Sequence, residues 1–383
     1  MSRIARIEAW PANAPLEAPY LMSTGIVPGI SRTIVRVTTG DGVVGLGESA
    51  STADAEELSG EYGRSFVGRE TNAVREELAQ GPLPTPVHRQ DGQVVIHRPE
   101  TGVEVALWDI AAREAGVALH ELFGETYRST VAFSEYFAYR PGREDTPTDI
   151  AAFCARMAEE HGSSVFEGKV AVSPVERDVH MVREIRAAIG TDCELRLDAN
   201  MGWTPATARQ ALELLEPFAI ANVEEPVASF ADMSDMRRST TIPFSAHTPD
   251  VAEAARLGAP DTLVVGLGPF GGIGGARRFI DACEEAGVGF WFYSGDFGIA
   301  TAAYLQIAAA TPYVTAPSQS LLRWTTDDVI VGGPFSPEGG LVRVPDGPGL
   351  GVELDENALR RCVERYAREG AYDFYTGGPV PRY

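Results

Sequence analysis

The amino-acid sequence predicts an α/β protein, a β/α barrel preceded by a smaller α+β domain. Its 383 residues exceed one ordinary domain and accommodate a barrel of roughly 250 residues plus a second unit. From about residue 130 onward, strand-like apolar runs alternate with helical stretches, the rhythm of a parallel sheet wrapped by helices. Asp198, Glu224 and His247 each close one such run, spaced 26 and 23 residues apart, the length of one strand plus one helix.

Taken in order, TIVRVTTGDGVVGLGE alternates with period two around Asp41-Gly42 and predicts a hairpin. ETGVEVALWDIAAREAG places Val103, Ala106, Leu107, Ile110 and Ala111 at helical spacing, with Gly116 as the stop. These elements form an α+β domain to about residue 125. Within it, residues 80–99, carrying Pro82, Pro84, Pro86 and Pro99, read as an irregular connection. Eight strand candidates follow: VAFSEYFAY, SVFEGKVAV, CELRLDAN, IANVEEP, TIPFSAH, DTLVVGL, GVGFWFYS and the weaker PYVTAPS. Eight are enough to close a barrel. Between them, SPVERDVHMVREIRAAIG shows a Ser173–Glu176 capping box, an apolar stripe through Val175, Val179, Val182 and Ile185, and a terminal Gly190. The tail, VRVPDGPGLGVELDENALRRCVERYAREG, predicts a last strand, a turn and a helix that folds back.

With 32 basic and 54 acidic residues the formal charge is −22, which repels phosphate backbones and anionic headgroups and argues against nucleic-acid or membrane binding. Cys154, Cys193, Cys283 and Cys362 form no C-x-x-C pair, so buried free thiols are expected rather than a zinc ribbon or a disulfide framework. No apolar run reaches roughly 18 residues, and a cytoplasmic enzyme is expected.

Side chains alternate along a strand, so Asp198 shares a phase with Asn200, and Glu224 with Asn222, while Glu225 points away. Carboxylates from separate strand ends are the hard oxygen ligands that Mg²⁺ takes. In an acid-rich chain two such residues could instead be solvated surface acids, but barrel spacing puts both at one mouth. His247 is the third candidate ligand. Its imidazole suits Mn²⁺, Fe²⁺ or Zn²⁺ better than Mg²⁺, and a core histidine or a proton carrier are the alternatives. Asp250, just beyond, reads as a helix N-terminal residue. Lys169 ends the strand before Asp198. A divalent cation beside it would lower its pKa and free an amine as general base; the alternative is a salt bridge to Glu167.

The ordered set GLGES near residue 46, EVALWDIAAREAG, FEGK, LDAN, VEEP and VPDGPGLGVELD resembles the enolase superfamily, in particular its mandelate racemase-like group, over nearly the whole chain. The resemblance implies an α+β capping domain over residues 1–125 and a modified β/α barrel over 126–335. A strand and helix in 336–383 would return to the cap. It also implies a divalent ion, Mg²⁺, with Mn²⁺ or another ion admitted by His247, that holds a small-molecule carboxylate while a base removes the α-proton. Asp198 and Glu224 match the first two metal positions, His247 stands at the third, and Asn200 matches a polar position beside base and metal. A homo-oligomer is expected.

Three departures from the group's pattern narrow the chemistry. The usual Lys-x-Lys strand reads Glu167-Gly168-Lys169. The sixth strand carries Gly266 or Gly268 where an Asp is usual, and the seventh carries Tyr293 near the usual His; no histidine follows His247. Two-base racemisation is therefore disfavoured. Dehydration needs one base and one acid; Lys169 can serve as both in a syn elimination, or Tyr293 or Asp296 can supply the acid, although Tyr293 could equally be a packing aromatic. Tyr136 and Tyr139 at the first strand end, and Arg32 in MSTGIVPGISR, a loop over the barrel mouth, are candidate substrate contacts. The resulting expectation is a lyase akin to the acid-sugar, glucarate-type dehydratases. The alternatives are a single-base epimerase or cycloisomerase and a metal-binding paralogue without catalysis.

Overall fold

The computed structural model describes residues 2–81, 98–293 and 295–372. The chain opens with an antiparallel sheet of β1 (Ile4–Met22), β2 (Gly25–Thr39) and β3 (Val44–Ser49), in that order. The Asp41-Gly42 hairpin joins β2 and β3 as expected. Three short helices follow, α1 (Asp54–Ser59), α2 (Glu61–Arg64) and α3 (Thr71–Ala79), and then α4 (Glu100–Ala115). Helix α4 ends at Gly116, whose φ of 71° is the left-handed stop that glycine adopts without a steric cost. It lies directly on β3: a Cβ at Gly47 would sit 1.8 Å from the Gly102 carbonyl oxygen, so the glycines of VVGLGE permit the close approach. Most of the proline-rich connection expected at 80–99 lies outside the described residues.

The segment MSTGIVPGISR is not a loop. Paired β1 and β2 continue through it and leave only Ser23 and Thr24 as a tip. That tip touches the barrel, where Ser23 Oγ donates to the Asn200 carbonyl at 3.0 Å.

The barrel begins with β4 (Thr130–Ala132) and β5 (Glu135–Phe137) and then alternates. Its parts are α5 (Pro147–His161), β6 (Val165–Lys169), α6 (Val175–Ile189), β7 (Glu194–Asp198), α7 (Pro205–Leu215), β8 (Asn222–Glu224), α8 (Phe230–Met236), β9 (Phe244–Ala246), α9 (Val251–Leu257), β10 (Thr262–Val265), α10 (Ile273–Ala286), β11 (Gly289–Phe292) and α11 (Gly298–Ala309). Strands β5 to β11 form one parallel sheet in sequence order. The eighth candidate, PYVTAPS, makes no regular strand, yet its end closes the ring. Ser318 N–H donates to Ala132 O at 2.9 Å, Ser134 N–H to Ser318 O at 2.8 Å, and Gln319 N–H to Phe292 O at 3.0 Å.

Helix α6 starts differently from expectation. Pro174 is its N-cap residue, and Ser173 Oγ donates to Asp178 Oδ1 at 2.6 Å instead of joining a capping box with Glu176. Asp178 also accepts the Ala171 N–H, so the hydroxyl completes that carboxylate's shell.

Two buried carboxylates dock the N-terminal sheet and α4 on the barrel by capping barrel helices. Glu104 accepts from Ile273 N–H at 2.7 Å and Gly274 N–H at 2.8 Å at the start of α10. Glu48 accepts from Phe297 N–H at 2.8 Å and Ala300 N–H at 2.9 Å at the start of α11. Each satisfies amide groups that a helix start leaves without partners. After the barrel, β12 (Leu341–Arg343) pairs antiparallel with β4, and α12 (Glu356–Glu369) packs on β1. Arg365 donates to Asn13 O at 2.9 Å, and Asn13 Nδ2 to Gly370 O at 2.7 Å. All four cysteines are free, three buried and Cys193 half-buried. No described helix is long and apolar enough to cross a membrane.

Candidate active site

Parallel register brings the chemistry together. Lys169 pairs with Asp198, Asp198 with Glu224, and Glu224 with Ser245, so three strand ends finish level. His247 follows one residue beyond β9. One ligand atom from each of Asp198, Glu224 and His247 lies within 4.8 Å of the others, and Asp198 and Glu224 are almost fully buried. The chain turns sharply after each strand, with Ala171, Asn200 and Glu225 all at positive φ, and such backbone persists where the surroundings over-determine it.

Lys169 forms its ion pair with Asp198 rather than with Glu167. The reason is geometric: Glu167 stands two residues along the same strand, about 6.6 Å away, whereas a neighbouring strand is about 4.8 Å away. Burial alone would favour the neutral amine, but the Asp198 charge outweighs it and holds the lysine well above its ordinary value. In return, burial would push Asp198 up, yet the ammonium keeps it below its usual range. Asn200 clasps the same carboxylate, its N–H donating to Oδ1 at 2.8 Å and its Nδ2 to Oδ2 at 3.1 Å. The Lys169 ammonium also lies 5.6 Å from the centroid of the Tyr136 ring.

His247 Nδ1–H donates to the Val264 carbonyl at 2.8 Å, which leaves Nε2 facing Glu224 Oε1 at 2.8 Å. Burial and the Asp198 charge push Glu224 up, and burial of His247 is outweighed by the Glu224 charge, which holds the imidazole above its ordinary value. Glu224 Oε1 is buried and has no hydrogen-bond partner among the described residues, although Nε2 stands 2.8 Å away. A cation fits there: two buried carboxylates at one point need positive charge, and an Nδ1–H anchored on a carbonyl is the support that a ligating histidine ordinarily has. Asp250 caps α9, accepting the Glu253 N–H at 2.9 Å, as the sequence predicted.

The polar interior below was not foreseen. Gln319 Nε2 donates to Glu167 Oε1 and Glu224 Oε2, both at 2.7 Å, and Arg196 lies 3.9 Å from Glu167. Gln319 stands one residue past the weak eighth strand candidate, and that position at a strand end was its only signal.

Above the centre lies a cavity of about 390 Å³, lined by Lys169, Asn200, His247, Tyr136 and Tyr293 together with residues of β1–β3. Tyr139 does not line it; its ring sits against the Arg177 guanidinium instead. Arg32 reaches the cavity from strand β2, but its groups are engaged. Its Nε donates to Asp296 Oδ1 at 2.6 Å, one terminal nitrogen to Ser31 O at 2.8 Å, and the other to Gly295 O and, at 3.4 Å, to the Tyr293 hydroxyl. The other Asp296 oxygen accepts from Tyr304. Two glycines make room for the hydroxyls: a Cβ at Gly295 would lie 2.5 Å from the Tyr293 oxygen, and one at Gly266 would lie 2.7 Å from the Tyr304 oxygen. Tyr304 went unnoticed in the sequence because it sits inside the apolar helix GIATAAYLQIAA.

Comparisons with known proteins agree with this architecture. Residues 149–358 match the enolase C-terminal domain-like family, and residues 6–124 match the mandelate racemase / muconate lactonizing enzyme N-terminal domain. The chain is 27% identical to muconate cycloisomerase 1-1 of Acinetobacter lwoffii over 96% of its length and 97% of that protein. It is 27% identical to a probable glucarate dehydratase of Streptomyces coelicolor, covering 91% of this chain and 89% of that one. An enolase from Thermobispora bispora complexed with magnesium and formate superposes with a TM-score of 0.87 at 27% identity, covering 99% of this chain and 97% of that one. With both domains matched and the strand-end carboxylates in place, the chain belongs to the enolase superfamily, in its mandelate racemase / muconate lactonizing enzyme group.

Proposed function

We propose that the protein is a divalent-metal-dependent lyase that removes the proton α to a carboxylate and expels a β-hydroxyl, dehydrating an acid sugar. The observation that supports it most directly is the convergence of Lys169 on Asp198 beside Glu224 and His247, at the floor of a cavity whose size suits a small acid. Asp198, Glu224 and His247 are the residues that would hold Mg²⁺, or Mn²⁺ given the imidazole. The bound cation supplies Lewis-acid charge that anchors the substrate carboxylate and lowers the cost of forming negative charge next to it.

Lys169 is the base. In the ion pair it is an ammonium, held so by Asp198. Once Asp198 is engaged by another cation, the lysine loses its counter-charge and burial favours the neutral amine. The amine takes the α-proton, the C–H electron pair forms the α,β double bond, and the β-hydroxyl leaves. A proton must reach that hydroxyl. Lys169 can return the one it took, or Tyr293 can provide its own: burial holds that phenol above its ordinary value, and the Arg32 guanidinium donating to its oxygen at 3.4 Å works in the opposite direction. Asn200 keeps Asp198 in place, and Tyr136 flanks the amine.

A second reading, single-base epimerisation or cycloisomerisation, is favoured by one feature: β10 leads to Gly266, with no titratable side chain there across from Lys169. Exchange of an α-proton with D₂O across an acid-sugar library, followed by NMR with Mg²⁺ present, separates the readings. Dehydration predicts exchange with loss of water, and exchange without it indicates an epimerase. Lys169→Ala should abolish exchange while metal binding persists. No exchange by any carboxylate would leave a metal-binding protein without catalysis.

A further inference from the structure

The far wall of the cavity, away from the carboxylate-binding centre, has two features that would attract an anion. One is the Arg32 guanidinium, the only Arg or Lys besides Lys169 among the described lining residues. The other is the N-terminus of α11, where helix-start amides and the helix dipole favour negative charge.

Both are already neutralised by the protein's own carboxylates. Arg32 is paired with Asp296 at 2.6 Å, its remaining nitrogens donate to backbone oxygens and Tyr293, and Tyr304 holds the second Asp296 oxygen. This pair is nearly buried, with side-chain exposures of 7% and 9%. At α11, Gly298 N–H donates to Asp328 at 2.9 Å and Ala300 N–H to Glu48 at 2.9 Å. A carboxylate arriving at this wall would face Asp296 and find no free cation among the described lining residues. It would lose its hydration without compensation.

The cavity does offer neutral hydrogen-bonding capacity. Ser49 Oγ, next to Glu48 on β3, and Thr24 Oγ1, at the hairpin tip that touches Asn200, belong to lining residues, are buried, and have no hydrogen-bond partner among the described residues. Buried hydroxyls in that condition favour a ligand that supplies the partner. Their chemistry suits the hydroxyl or carbonyl groups of an uncharged chain.

We infer that the substrate is a monocarboxylate with a neutral, hydroxylated remainder, an aldonate in acid-sugar terms, and that Asp296 acts as a specificity residue by occupying Arg32. This rests on the acid-sugar reading and narrows it: acids charged at both ends are rejected at the far wall. Asp296 is not required to touch substrate. It excludes a second carboxylate by keeping the one suitable cation paired.

The test is calorimetric binding of matched aldonate and aldarate pairs, D-gluconate with D-glucarate and the other five- and six-carbon stereoisomers, to the full chain with and without Mg²⁺. The wild type should bind at least one aldonate at least tenfold more tightly than its matched aldarate. Asp296→Asn, checked for folding by its melting curve, should shift that ratio at least tenfold toward the aldarate by releasing Arg32. An aldarate bound by the wild type as tightly as its aldonate overturns the inference, and the wild-type comparison decides this even if the variant fails to fold. A ratio unchanged in folded Asp296→Asn overturns the role of Asp296. Aldonate preference without Mg²⁺ dependence supports the neutral wall while removing the metal-dependent reading; no binding of any acid sugar overturns both.

Discussion

Replacing Lys169 with Met should move stability and metal affinity in opposite directions. In the metal-free protein Lys169 is the cation paired with Asp198, and both side chains are nearly inaccessible, at 6% and 1%. Breaking a buried pair from one side costs roughly 3–5 kcal/mol. Asp198 retains the two Asn200 donors and can take up a proton, so about 3 kcal/mol, the low end, is expected in urea unfolding with EDTA present. Divalent-metal binding should respond the other way. Two unit charges about 4 Å apart interact by about 4 kcal/mol at an effective dielectric of 20. The ammonium therefore competes with any divalent cation at Asp198, and only the uptake of Lys169 into its neutral form limits that competition. Removing it should tighten Mg²⁺ at least about tenfold, or about 1.4 kcal/mol, measured by titration calorimetry. Saturating Mg²⁺ should consequently raise the melting temperature of Lys169→Met by more than that of the wild type. Exchange of the α-proton should fall by about 10²–10⁴-fold or more. Equal stability in EDTA, or Mg²⁺ binding unchanged or weakened in the variant, would refute the claim that Lys169 and the metal share Asp198.

Gln319→Leu removes the amide that ties Glu224 to Glu167. Mn²⁺ affinity, read by electron paramagnetic resonance, should drop about 10–100-fold, as for other supporting groups of metal ligands, and an unchanged affinity would show that Glu224 needs no such tether. Stability should also depend on Glu104, which burial pushes up to about 7 against the opposing donation of Gly274, Ile273 and Trp108. The folded protein then binds more protons than the unfolded chain between about pH 4.5 and 7. Its stability contribution is complete below about 4.5 and lost as pH rises through 7, by about 3 kcal/mol at most. Urea unfolding at pH 5, 6, 7 and 8 should give a downward slope in the wild type that flattens in Glu104→Gln; parallel slopes would exclude Glu104 as a source.

The barrel and the acid end of its site were legible because spacing encodes them. One strand plus one helix separates each of Lys169, Asp198, Glu224 and His247 from the next, so a period seen in one dimension becomes a cluster in three. Features made by contacts across that period were not legible. The partner of Lys169 depended on register, which decides whether the nearest charge lies along the strand or on its neighbour. Gln319 belongs to a segment too irregular to pair as a strand, and only its backbone contacts with Ala132, Phe292 and Ser134 place it in the ring. Tyr304 reads as packing in a helix that is buried along its full length. Its role becomes visible only opposite Gly266, a residue that the sequence shows merely as a missing acid.

The two sides of this centre are therefore unequal in kind. Counting round the ring of eight, β6 with Lys169 stands four places from β10, so Gly266 lies across the mouth from the amine. Where a second acid or base would project, there is no side chain, and the space holds the Tyr304 hydroxyl, itself hydrogen-bonded to Asp296. A hydroxyl donating to a carboxylate is poorly suited to give up its proton, because the phenolate would face that negative charge; burial and Asp296 together raise Tyr304 well above its ordinary value. On the proposed lyase reading, proton removal is confined to the Lys169 side, and the opposite wall contributes shape and charge balance. Chemistry that takes a proton and returns it on one face, as a syn elimination does, is compatible with such a wall. With no carrier where Gly266 stands, inversion at the α-carbon would have to run through Lys169 alone.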